Sequence, residues 1–122
     1  MGYRSEVKSI IYGDATKVED FLRDNAETFN QLKEDFPTEL SRFTRDTRLF
    51  IYLDCNYSKW YDEYEDVQRW HDFIEKAAEA GLCTEFVRIG EASDGDIEQM
   101  YRGEKNLNFL TPRVTIDVGF NY

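Results

Sequence analysis

The chain has 122 residues, 41% hydrophobic and 16% aromatic, enough to bury a core as one domain over 1–122 without disulfides or metal. Twenty-five acids against 15 bases give a formal net charge of −10, which disfavours direct binding to nucleic acid or an anionic membrane and favours a partner with a basic surface. No apolar run approaches the roughly 20 residues that cross a bilayer, and a single histidine with two cysteines, none in Cys-x-x-Cys spacing, supplies no local metal-ligand set.

In chain order, Tyr3 to Tyr12 reads as a strand, with Val7, Ser9 and Ile11 on one face and Glu6, Lys8, Ile10 and Tyr12 on the other. The polar stretch from Tyr3 to Lys8 is no signal peptide, so the expected compartment is a cytoplasm with Cys55 and Cys83 reduced. Thr16 and Glu19 have capping-box spacing, and Val18, Leu22, Asn25, Phe29, Leu32 and Phe36 follow as the stripe of one amphipathic helix that Pro37 stops. Two short strands joined at Arg45-Asp46-Thr47 are expected between Glu39 and Asn56, the second with Leu49, Ile51, Leu53 and Cys55 facing one way and Phe50 and Tyr52 the other.

Asp62, with Glu65 three positions on, is the expected N-cap of a second helix that buries Val67, Trp70, Ile74, Ala77 and Ala78 and ends at Gly81. Cys83 to Ile89 is a strand, Glu91 to Gly103 a polar excursion with room for one helical turn, and Arg113 to Phe120 a last strand. This order predicts an α+β fold of ferredoxin-like, split βαβ type: an antiparallel sheet, two helices on one face and an extra C-terminal strand.

The side chains offer several chemistries. Asp94-Gly95-Asp96-Ile97-Glu98 has the look of a cation loop, but its glycine is misplaced for an EF-hand and Lys105 stands at the twelfth position. Cys83 and His71 would make a nucleophilic pair if the fold joined them. Phe50 and Tyr52, with Arg42, Arg45 and Arg48 nearby, stand where RNA-recognition sheets place stacking rings, although the flanking glycines are missing.

The acids of the helices form a further pattern. On the first, Asp20, Asp24, Glu27 and Glu34 follow one line at steps of four, three and seven, about 21 Å long at 1.5 Å per residue. On the second, Asp62, Glu65, Asp66, Asp72, Glu75 and Glu79 crowd the outer side. Helices sharing one sheet face would join these lines into a negative surface, with Tyr61 and Tyr64 at its rim and Trp60 and Trp70 packed inside. The residues chosen as partner-binding are Asp20, Asp24, Glu27, Glu34, Tyr61, Tyr64, Glu65, Asp72 and Glu79. No catalytic, cofactor or metal residue is assigned.

The opening Met1-Gly2-Tyr3-Arg4-Ser5-Glu6-Val7, the block Lys59-Trp60-Tyr61-Asp62, and Phe86-Val87-Arg88-Ile89-Gly90-Glu91 leading into Asp96-Ile97-Glu98 together resemble a group of small acidic bacteriophage and prophage proteins. The resemblance implies a protein of the host bacterial cytoplasm that binds and inhibits a host protein, such as a restriction or CRISPR-type defence complex or a nucleic-acid-handling one. Three readings stand beside it. They are an RNA or single-strand binder using Phe50 and Tyr52 on an open sheet face, a self-associating structural protein whose subunits pair along Arg113 to Phe120, and a small enzyme of unrecognised class; the expected state is a monomer or a homodimer.

Overall fold

The computed structural model describes residues 5–90, 97–103, 106–107, 109–112 and 118–120. Strand β1 (Ser5–Asp14) alternates as its sequence predicts, Val7 and Ile11 toward one face and Ile10 and Tyr12 toward the other. All four are buried, so the strand requires a layer on each side.

Asp14 ends β1 and caps helix α1 (Ala15–Asp24), its Oδ1 accepting the Thr16 N–H at 3.0 Å. The cap therefore lies two residues before the expected Thr16, and Glu19 is left to pair with Arg42. The single helix expected up to Phe36 is in fact two, α1 and α2 (Ala26–Asp35), broken at Asn25 with φ −120° and ψ 30°. At the break the Asn25 side-chain Nδ2 donates to Phe21 O at 2.9 Å, a local bond that asparagine offers in competition with the helix, beside the ordinary helical bond from its backbone N–H to the same oxygen at 3.0 Å. Val18, Phe21, Leu22, Phe29, Leu32 and Phe36 stay buried through it.

Strands β2 (Leu40–Arg45) and β3 (Arg48–Ser58) form the expected hairpin, with Asp46 at φ 56° in the tight turn. Helix α3 (Glu65–Glu79) is capped by Tyr64 without a side-chain bond, not by Asp62, whose carbonyl accepts from Gln68 Nε2 instead. Its buried face is Val67, Trp70, Phe73, Ile74 and Ala77, with Ala78 at the margin. At its end Gly81 has φ 88°, and Leu82 N–H donates to Ala77 O and Gly81 N–H to Ala78 O, the paired bonds of a Schellman cap.

Strand β4 (Cys83–Gly90) follows, and then β5 (Ile97–Arg102), a strand where the sequence predicts only a polar excursion. Pairing to β4 over six residues overrides its weak alternation. The sheet runs β2-β3-β1-β4-β5 with every neighbouring pair antiparallel. The chain is thus an α+β fold, with a five-stranded antiparallel sheet, three helices and an added strand among the described residues. That strand is β5 and not the C-terminal one: β6 (Leu110–Pro112) and β7 (Val118–Phe120) form a separate two-stranded ladder, and residues 113–117 of the expected last strand lie outside the described residues.

Residues of α1, α2 and α3 share one apolar cluster with Val7, Ile11, Leu49, Ile51, Leu53, Cys55 and Phe86, so the helices cover a single sheet face. A second cluster of Ile10, Tyr12, Phe50, Cys83, Val87, Ile89 and Leu110 occupies the other.

Two glycines test the backbone geometry. Gly81 faces open space, whereas a Cβ at Gly103 (φ 109°) would come within 2.8 Å of Cys83 Sγ and 2.9 Å of its Cα. Gly81→Ala is expected to cost about 1 kcal/mol from the left-handed conformation alone. Gly103→Ala should cost at least about 2 kcal/mol, because overpacking adds to it. Urea midpoints compared at constant m would measure both; equal losses would contradict the close approach of Gly103 to Cys83.

Candidate functional site

The acidic surface is built by the outer sides of the three helices. Asp20 and Asp24 stand on α1, Glu27 and Glu34 on α2, and Glu65, Asp72 and Glu79 on α3, all exposed. Because the helix breaks at Asn25, the first four are divided between two helices and are not carried by the one continuous helix expected. Asp20 and Asp24 instead meet Glu79 across an open groove between α1 and α3, with Lys17, Lys76 and Phe21 also in its walls. Two lysines therefore temper the negative charge there.

Ion pairs divide the acids into two sets. Glu19 is held by Arg42, Asp35 by Arg69 and Glu75 by Arg102, which tie α1 to β2, α2 to α3 and α3 to β5. Asp20 is paired locally with Arg23 at 2.6 Å. Among the described residues, Asp24, Glu27, Glu34, Glu65, Asp72 and Glu79 are in no ion pair.

At the start of α3, Tyr61 and Tyr64 meet edge to face, centroids 5.2 Å apart, with Tyr64 exposed and Tyr61 half-buried. Glu65 opens the helix, where a carboxylate is favoured by the N-terminal dipole, so its position also has a purely structural cause. Trp60 and Trp70 are buried, as expected.

The opposite sheet face corrects the stacking-ring expectation. Phe50 is 1% exposed, stacked on Tyr12 and Phe43 at 5.2 and 4.9 Å and met edge-on by Phe109 at 5.5 Å. It offers no ring face to a base. Tyr52 is half-buried in the same cluster, Arg42 is taken by Glu19, and Arg88 donates to Glu98 and Ser5.

The nucleophilic pair fails on topology. Cys83 lies in the second-face cluster, while His71 packs on Trp60 and Phe86, at 5.9 and 4.9 Å, on the helix face, so the sheet separates them. Both cysteines are buried free thiols. Among the described residues no group of His, Cys, Asp and Glu is arranged to hold a metal, and 91–96, which carry most of the cation-loop motif, lie outside them.

What holds the second face is a residue that pattern reading passes over. Glu85 is fully buried, its Oε2 accepting from Tyr12 Oη at 2.8 Å and the Phe109 N–H at 3.0 Å, its Oε1 accepting from the Leu110 N–H at 2.7 Å. Tyr12 Oη in turn accepts the Leu107 N–H at 2.6 Å, and Tyr101 donates to Leu110 O at 2.6 Å. One carboxylate thereby fastens Phe109 and Leu110 beside Phe50. Burial, reinforced by the Glu85 charge, holds the Tyr12 and Tyr101 hydroxyls protonated above the ordinary tyrosine range. The signal was an acid among Cys83, Val87 and Ile89, which share one face of the strand.

Comparison of the chain with protein-family models, curated proteins and solved structures gives no match.

Two outcomes follow from these geometries. Glu85→Gln puts an N–H2 opposite backbone donors and should cost about 2 to 3 kcal/mol, with faster proteolysis near 107–110; an unchanged urea midpoint would refute the tie. Burial lowers the affinity of His71 for a proton. Below about pH 6.5, the unfolded-state value, the unfolded chain takes up a proton that the native site resists, so stability falls as pH falls from 7 toward 5. His71→Gln should flatten that slope; parallel wild-type and variant curves would count against it.

Proposed function

We propose that this chain is a non-catalytic bacteriophage accessory protein of the bacterial cytoplasm. In this reading its helical layer docks on the basic surface of a host protein and blocks it. The observation that carries the reading is the division of the acids. Glu19, Asp35 and Glu75 fasten helices to one another or to the sheet and Asp20 pairs within α1, while Asp24, Glu27, Glu34, Asp72 and Glu79 are exposed on the layer and in no ion pair among the described residues. Like charges left uncompensated on one side destabilise the fold slightly and steer a basic partner.

The groove between α1 and α3 supplies a place for contact, with Phe21 at its floor and acids from both walls. Arginine or lysine side chains entering it would meet Asp24 and Glu79 while displacing Lys17 and Lys76 outward. The resemblance to small phage proteins supports a target among host defence or nucleic-acid-handling complexes, whose substrate-binding surfaces are basic. The burial of Phe50 argues against a competing role in direct RNA stacking.

The test is capture from bacterial lysate on the immobilised chain, at low and moderate salt, beside the triple variant Asp24→Lys, Glu34→Lys, Glu79→Lys. A basic partner retained by the wild type and weakened at least tenfold by the variant, with an unchanged circular dichroism spectrum, is expected. A partner held equally by both would overturn the assignment of the surface.

A further inference from the structure

The outer edge of β5 differs from every other strand edge in the sheet. β1, β3 and β4 are paired on both sides, and β2, the other terminal strand, carries only arginines as charged residues, Arg42 and Arg45, so that two such strands brought together oppose like charges. Among the described residues no strand pairs beyond β5. Its register with β4 runs from Ile97 to Arg102 without a bulge, it contains neither proline nor lysine, and Ile97 and Met100 are 43% and 37% exposed. A bulge, a proline or a lysine is how many natural edge strands avoid association, and β5 has none of these three, its charged residues being Glu98 and Arg102.

Its sequence is self-complementary. An antiparallel copy centred on Met100 sets Met100 against its own copy, Gln99 against Tyr101, and Glu98 against Arg102 at both ends. No other register opposes Glu98 and Arg102. Centring on Glu98 or on Arg102 brings like charges face to face.

Pairing with β4 fixes which side these residues occupy. Glu98, Met100 and Arg102 lie opposite Arg88, Phe86 and Thr84, on the helix side of the sheet. There Glu98 already accepts from Arg88 at 3.1 Å and Arg102 donates to Glu75. Across the joint the charges would alternate as Arg88, Glu98, Arg102 of the second copy and its Glu75, with the mirror sequence at the other end. The edge is locally neutral even though the chain carries −10. At physiological ionic strength the screening length is about 8 Å, which damps the repulsion between distant acids more than the contact pairs at the joint.

We propose that two copies of this chain pair along β5 about a two-fold axis at Met100, making one continuous antiparallel sheet with both helical layers on the same side. The acidic surfaces then lie side by side, and a partner with repeated basic sites gains from binding both. The pairing itself stands independently of what the acidic surface binds.

The experiment uses the whole chain. Sedimentation and light scattering across a concentration series should show a reversible monomer–dimer equilibrium, weakened at least tenfold by Glu98→Arg and restored by adding Arg102→Glu. Met100→Cys introduces the one exposed thiol beside two buried ones, and mild oxidation should link it to its own copy, while Gln99→Cys, which faces Tyr101, should link poorly. A monomer at every concentration would overturn the proposal. So would a dimer indifferent to the charge swap, or equal cross-linking at 99 and 100.

Discussion

A carboxylate in no ion pair among the described residues stabilises the second face of this sheet. Taking Glu85 out of water costs several kcal/mol in an uncompensated site, and the cost is offset because a phenol and two peptide N–H groups converge on its two oxygens. Those peptide groups belong to a stretch with little regular structure of its own, whose donors would be unsatisfied when buried. The side chain and the backbone solve each other's problem. Tyr12 extends the network by accepting from Leu107 while stacking on Phe50, so the polar tie and the aromatic packing share one ring.

The helix face follows a different logic. There the contacts are mainly apolar, with Phe73 of α3 packed against Phe21 of α1 and Phe29 of α2 at 5.0 and 6.0 Å. Among the described residues, ion pairs join the helices to one another and to the sheet around this packing. Exposed ones such as Glu19 with Arg42 contribute little individually, while the more enclosed Asp35 and Arg69 fix how α2 lies on α3. The remaining acids are not consumed by the fold, and that makes a role outside it reasonable.

Much of this architecture is legible in the sequence wherever one period dominates. The alternation of β1 and β3, the hairpin at Asp46, the stop at Pro37 and the left-handed Gly81 all follow from side-chain pattern and turn chemistry. The break at Asn25 is hidden because asparagine at a helical step looks like one tolerated polar residue, and its effect lies in a bond to a carbonyl four residues back. β5 is hidden because its residues are mostly exposed and its strand character comes from β4. Of the candidate surface, the exposure of the acids is readable from the helical stripe. Their meeting across the α1–α3 groove depends on a chain reversal that local spacing does not encode.

The bond from Leu107 to Tyr12 joins residues 95 apart in the chain, and those from 109 and 110 reach back to Glu85. During synthesis the helices can settle on β1 and β3 long before this closure exists. Until the stretch beyond Arg102 emerges from the ribosome, Phe50 and Tyr12 stay wet and open to unwanted contacts, so the slow, long-range step of folding is also the one that ends the nascent chain's exposure to aggregation.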